Sequence, residues 1–124
     1  MKKILIVDDD RTLRTVLTRY LENRGYQVEQ VSSGAEALVA FAKNPPDLVV
    51  SDVMMPEMDG FAFLRTLRAK PEWGSIPVVV LTAKDVDGED RRRLAGQADR
   101  VLRKGQVGLD DLPNLLRPFV LPKL

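Results

Sequence analysis

The sequence predicts an α/β fold in which five parallel strands form one doubly wound sheet with helices on both faces. Three observations predict it. Segments of strand and helix periodicity alternate along the chain with only short breaks between them. The first, third and fourth strand segments are apolar throughout, as expected where both faces of a parallel sheet are covered. Alternation of this kind joins parallel strands by right-handed crossovers, which place helices on both sides.

The elements follow in order. Residues 4–7 are a continuous apolar run that stops at Asp8-Asp9-Asp10. Leu13, Val16, Leu17, Tyr20 and Leu21 then recur at helical spacing until Gly25 stops the helix. Gln27–Val31 reads as a strand, and Ser32-Ser33-Gly34 caps a second helix with Ala35, Leu38, Phe41 and Ala42 on one face. Pro45-Pro46 breaks that helix, and residues 48–51 form a buried strand ending at Asp52. Phe61, Leu64 and Leu67 mark a third helix, and Trp73 in the following loop reads as a packing residue. Beyond Pro77, residues 78–81 are a fourth strand. Residues 89–95 make a short polar fourth helix around Arg91-Arg92-Arg93, and Arg100–Arg103 is a fifth strand. A fifth helix runs from Asp110, with an acidic start, Pro113 in its first turn and Pro118 expected to kink or end it. Residues 121–124 then read as a loosely held tail.

The bulk properties bound the function. A chain of 124 residues is one domain long, and 44% apolar content with a mean hydropathy of −0.15 suits a soluble globular protein. No apolar run approaches a membrane span, and the N-terminus lacks a signal peptide's apolar core, so a cytoplasmic location is expected. The absence of cysteine and histidine excludes disulfide and thiolate chemistry and leaves carboxylates, hydroxyls, lysine and arginine. With 19 basic against 18 acidic residues there is no whole-domain footprint for direct nucleic-acid binding.

In a doubly wound sheet, ligands bind beyond the carboxyl ends of the strands, where strand order reverses. Strand one ends in Asp8-Asp9-Asp10, strand three in Asp52, strand four in Thr82 and strand five in Lys104. Carboxylates gathered at one edge repel one another and raise each other's pKa, a cost that a hard divalent cation removes. Magnesium suits such a set, because it takes one or two carboxylates and fills its other positions with water and phosphate. Singly, each residue has a plainer reading: Asp10 as a helix N-cap, Asp52 as a turn residue, Thr82 as a strand-end hydroxyl, Lys104 as a solvated charge. Their arrival at one edge together is what points to chemistry.

The motifs Ile6-Val7-Asp8-Asp9, Asp52-Val53-Met54-Met55-Pro56-Glu57-Met58-Asp59-Gly60, Leu81-Thr82-Ala83 and Lys104 make the chain, over residues 1–124, resemble the receiver domain of bacterial response regulators. The resemblance implies a flavodoxin-like sheet in the order 2-1-3-4-5 and a signalling domain rather than an enzyme. It implies that Asp52 is the phosphoacceptor, receiving its phosphoryl group from a histidine kinase or histidine phosphotransfer protein with Mg2+. Asp9 and Asp52 would bind the magnesium through carboxylates, Met54 through its backbone carbonyl and Asp8 through water. Thr82 would hydrogen-bond the phosphoryl group and Lys104 neutralise it. Met54 and Lys84 occupy the positions that control hydrolytic water in the family. Output would pass to another protein or domain through the face made by the fourth helix, fifth strand and fifth helix.

The sequence departs from the family pattern after Lys104, where Gly105 replaces the usual proline and a trans bond is expected. It departs again at Val101, which replaces an aromatic residue. The Lys-Gly ending resembles receivers attached to sensor kinases as much as those on transcription factors. Two other readings fit parts of the chain. Val101 and Gly105 are compatible with a degenerate receiver that binds partners without phosphorylation. Asp8-x-Asp10-x-Thr12 after an apolar strand matches the nucleophile motif of haloacid-dehalogenase-type phosphatases, but leaves the motif at Asp52 unexplained.

Overall fold

All five predicted strands are present, in one parallel sheet. The computed structural model describes residues 2–52, 60–82, 92 and 97–120. Within them the elements are β1 (Lys3–Val7), α1 (Arg11–Glu22), β2 (Gln27–Val31), α2 (Gly34–Lys43), β3 (Leu48–Ser51), α3 (Gly60–Ala69), β4 (Val78–Thr82), β5 (Arg100–Arg103) and a C-terminal helix (Leu112–Val120). The expected helix over residues 89–95 and the tail over 121–124 lie outside the described residues.

The strand order is β2-β1-β3-β4-β5, with every neighbouring pair parallel. Because side chains alternate along a strand, the apolar runs feed two cores at once. Leu5, Val7, Val49, Val78 and Val80 face α2 and α3, where Ala37, Phe41, Phe63, Leu64 and Leu67 meet them. Ile4, Ile6, Leu48, Val50, Val79 and Leu81 face α1 and the C-terminal helix, which contribute Leu17, Leu21, Leu112 and Leu116. Trp73 closes the first core, its ring 5.2 Å from Phe41 between centroids, with the Lys70 ammonium 5.3 Å from its own ring.

Helix ends follow their sequence signals. Asp10 caps α1, its carboxylate accepting from Leu13 N–H at 3.1 Å. Beyond α1, Gly25 takes a φ of +89°, a left-handed conformation that glycine adopts without strain, and its N–H reaches the Glu22 carbonyl. Ser33 caps α2, and Glu36 bonds back to both Ser32 and Ser33, which holds its carboxyl below the ordinary value.

Three expectations are corrected. Ala35 and Ala42 are exposed, and the buried face of α2 is Gly34, Ala37, Ala40 and Phe41. Alanines carry little apolar signal, so both faces of this short helix look similar in sequence. Tyr20 lies on the exposed side of α1. Pro118 does not end the last helix, which continues to Val120. Proline in the last turn removes only one backbone donor, and Leu116 and Val120 on either side of it are buried in the second core.

Candidate functional site

The backbone bonds at the carboxyl edge of the sheet set the site. Asp8 N–H donates to the Val31 carbonyl (3.2 Å), Asp52 N–H to Val7 (2.9 Å) and Lys104 N–H to Thr82 (2.8 Å). Asp8, Asp52 and Lys104 are thus each tied to a neighbouring strand by one further rung. Thr82 itself ends β4 and is buried, 1% exposed.

These rungs converge the side chains. The Lys104 ammonium lies 2.8 Å from Asp8 Oδ2 and 3.0 Å from Asp52 Oδ2, so one cation bridges two buried carboxylates. The other oxygen of Asp8 accepts from Asp10 N–H at 2.9 Å. Burial nevertheless pushes the Asp8 carboxyl above its ordinary value, outweighing the hydrogen bonds from Lys104 and Asp10. For Lys104 burial alone would favour the neutral amine, but the hydrogen bonds and charges of Asp8 and Asp52 outweigh it and raise the ammonium's pKa.

Asp8, Asp9 and Asp52 each present an oxygen within 4.8 Å of the others, two from buried residues and one from exposed Asp9. Among the described side chains of the cluster, the Lys104 ammonium meets Asp8 and Asp52, while the exposed Asp9 carboxylate has no ion pair. All-oxygen donors that include an unpaired carboxylate fit a hard divalent cation.

Five sequence-predicted site residues are therefore brought to one edge: Asp8, Asp9 and Asp52 in one cluster, Lys104 upon it, and Thr82 on the adjacent strand. Met54 and Lys84, with residues 53–59 and Ala83 of the motifs, lie outside the described residues. The Lys104–Gly105 bond is trans, and Gly105 has open space where a Cβ would stand. Asp110 and Asp111 fall in the turn before the C-terminal helix rather than at a strand end.

Two residues at the site were not anticipated. Arg14 donates from Nη1 to the main-chain carbonyl of Asp8 at 2.7 Å. Its sequence signal is a cation in the first turn of a helix, where the dipole disfavours one. Ser51 is buried beside Val7 and Val80, and its hydroxyl donates to the Asp52 carbonyl at 3.0 Å. The signal there is a lone hydroxyl in an apolar strand.

Comparison with known proteins agrees with this geometry. Residues 4–117 match the family model of the response regulator receiver domain. The chain is 43% identical over 122 residues to the response regulator MprA of Mycobacterium sp. (strain KMS), a match covering 98% of this chain and 46% of that protein. The chain thus spans about half the length of the curated relatives it matches. Among solved structures, it resembles the receiver domain of a signal transduction histidine kinase from Syntrophus aciditrophicus. That match has 38% identity and a TM-score of 0.86, covering 97% of this chain and 90% of the other. The Vibrio cholerae chemotaxis protein CheY4 is similar at 32% identity and a TM-score of 0.86, covering 96% and 98%. The family match runs from β1 into the C-terminal helix, and the chain belongs to the response regulator receiver domains of two-component signalling.

Proposed function

We propose that Asp52 accepts a phosphoryl group from a histidine kinase or histidine phosphotransfer protein, and that residues 1–124 act as one such receiver domain. The observation that carries this reading is the Lys104 ammonium bridging Asp8 and Asp52 at 2.8 and 3.0 Å. A carboxylate is a competent nucleophile, and the acyl phosphate it forms is labile. In-line phosphoryl transfer depends mostly on positioning and on neutralising the equatorial oxygens. Asp8, Asp9, Asp52 and the backbone carbonyl of Met54 would hold Mg2+, which when bound neutralises charge on the phosphoryl oxygens. Lys104 holds the Asp52 carboxylate in place before transfer and is within reach of the incoming group afterwards. Thr82, at the end of the adjacent strand, supplies the hydroxyl for a remaining oxygen.

Phosphorylation adds about −1.5 to −2 charges at a site where Lys104 already serves two acids. The lysine must then share itself with a third acceptor, which pulls on β5 and on the turn held by the Lys104 N–H bond to Thr82. Output would leave through the face carrying β5 and the C-terminal helix, by protein–protein contact in the cytoplasm. No described helix is long and apolar enough to cross a membrane.

Incubation with Mg2+ and acetyl phosphate should add one phosphoryl group, read by intact mass, and Asp52→Asn should abolish it. Lys104→Ala should bind magnesium still but lose at least tenfold in phosphorylation rate, since its charge is needed when the phosphoryl group arrives. Labelling that persists in Asp52→Asn would refute the assignment.

A further inference from the structure

We propose that Arg14 is a positioning residue: through the Asp8 carbonyl it fixes the Asp8–Asp9 peptide and so holds the Asp9 carboxylate against those of Asp8 and Asp52. This rests on the reading of the acidic cluster as a magnesium site.

The three carboxylates are held in different ways. Asp8 is fixed at both oxygens, by Lys104 and by Asp10 N–H. Asp52 is fixed by Lys104. Among the described residues, no hydrogen bond or ion pair holds the exposed Asp9 side chain, yet it lies within 4.8 Å of the other two. Its placement must therefore come from its backbone. That backbone has left the sheet: the last rung on this side is Asp8 N–H to Val31. The next peptide, joining Asp8 to Asp9, is anchored by the Arg14 guanidinium at 2.7 Å. Arg14 is held in turn by its own N–H bond to the Asp10 carbonyl at 3.0 Å. Residues 8–14 thus form a closed unit in which the end of β1, the cap of α1 and one guanidinium define where Asp9 points.

The cost of this arrangement supports a role. A cation in the first turn of a helix opposes the helix dipole, and a half-buried arginine gives up rotamer freedom. A rule broken locally at a reactive edge is expected where function compensates.

Magnesium affinity of the full chain, measured by isothermal titration calorimetry, gives a test in which two explanations predict opposite signs. If Arg14 acts only through its charge, Arg14→Met removes a cation near the metal and binding tightens. If it positions Asp9, Arg14→Met weakens binding about tenfold, as loss of an outer-shell partner of a metal ligand does. The loss should nearly vanish when Arg14→Met is made in an Asp9→Asn background, because the group it positions is gone. Arg14→Lys, which keeps the charge but not the guanidinium geometry, should fall between Arg14→Met and wild type. Should Arg14→Met fail to fold, Arg14→Lys decides alone, because a charge-only role predicts wild-type affinity for it. Unchanged or tighter binding in Arg14→Met, or an undiminished loss in the Asp9→Asn background, overturns the proposal. A wild type that binds no magnesium and takes up no phosphoryl group would instead overturn the underlying reading of the site.

Discussion

Asp8 carries a charge that its surroundings disfavour. It is 2% exposed, and even with Lys104 beside it burial keeps its carboxyl above the ordinary value of 3.8. A folded pKa above the unfolded one means that the fold prefers the protonated acid. The stabilising contribution is therefore complete below pH 3.8 and lost as pH rises through the folded value. At neutral pH and without metal, Asp8→Asn should raise the melting temperature, because the amide removes the charge that burial disfavours. The gain should shrink toward zero near pH 3. A lower melting temperature at pH 7 would show that the ion pair with Lys104 outweighs the burial. Single side chains also bear on the lifetime of the phosphorylated state. Thioether sulfur orients water poorly, and a lysine ammonium can cover a phosphoryl group. Met54 and Lys84 should thus give slow hydrolysis, and Met54→Asn with Lys84→Glu should shorten the half-life several-fold. Equal decay of the two proteins would remove these positions from the account.

At the opposite edge of the sheet, one side chain ties several segments together. Arg68 of α3 donates to the carbonyls of Gln97, Gly74 and Ile76, each at 2.8 Å, and to Asp99 at 3.1 Å. Asp99 also accepts from Val78 N–H at 2.7 Å, so one guanidinium secures the entries to both β4 and β5. Removing it leaves several part-buried carbonyls without a donor. Arg68→Ala should cost about 2–3 kcal/mol in urea unfolding, and Arg68→Lys should recover less than half, because an ammonium cannot reach acceptors set in a fork. A loss under about 0.5 kcal/mol would mean that water replaces the arginine without penalty. Such contacts mark where sequence reading stops. The spacing of apolar residues made every described strand legible, since buried runs such as Val78-Val79-Val80-Leu81 have few alternatives. Asp8, Asp52 and Thr82 were legible because each directly follows or ends such a run, whereas Lys104 follows the mostly exposed β5 and was legible from the family motif. The face of α2 was not, because small alanines left two faces nearly equal. Neither were Arg14 and Arg68, whose long polar side chains choose partners that no periodicity encodes.

At the scale of the whole molecule, the sheet separates two hydrophobic layers that share only its strands. Both layers draw on alternate residues of β1, β3 and β4, so loss of either should strip one face from every central strand. Cooperative unfolding as one unit is the expected result. The single tryptophan makes this testable and sets a limit on what light can report. Trp73 sits in only one layer, beside Phe41, and precedes β4 at the end away from Thr82, roughly 15 Å along a five-residue strand. Its emission should follow denaturation with the same midpoint as far-ultraviolet circular dichroism. Separate midpoints would reveal that the layers come apart independently. The same emission should stay nearly constant when magnesium or a phosphoryl group arrives at the far edge. The protein's natural fluorophore is thus a reporter of melting that is blind to signalling, and observing the switch optically requires a probe placed at the other end of the strands.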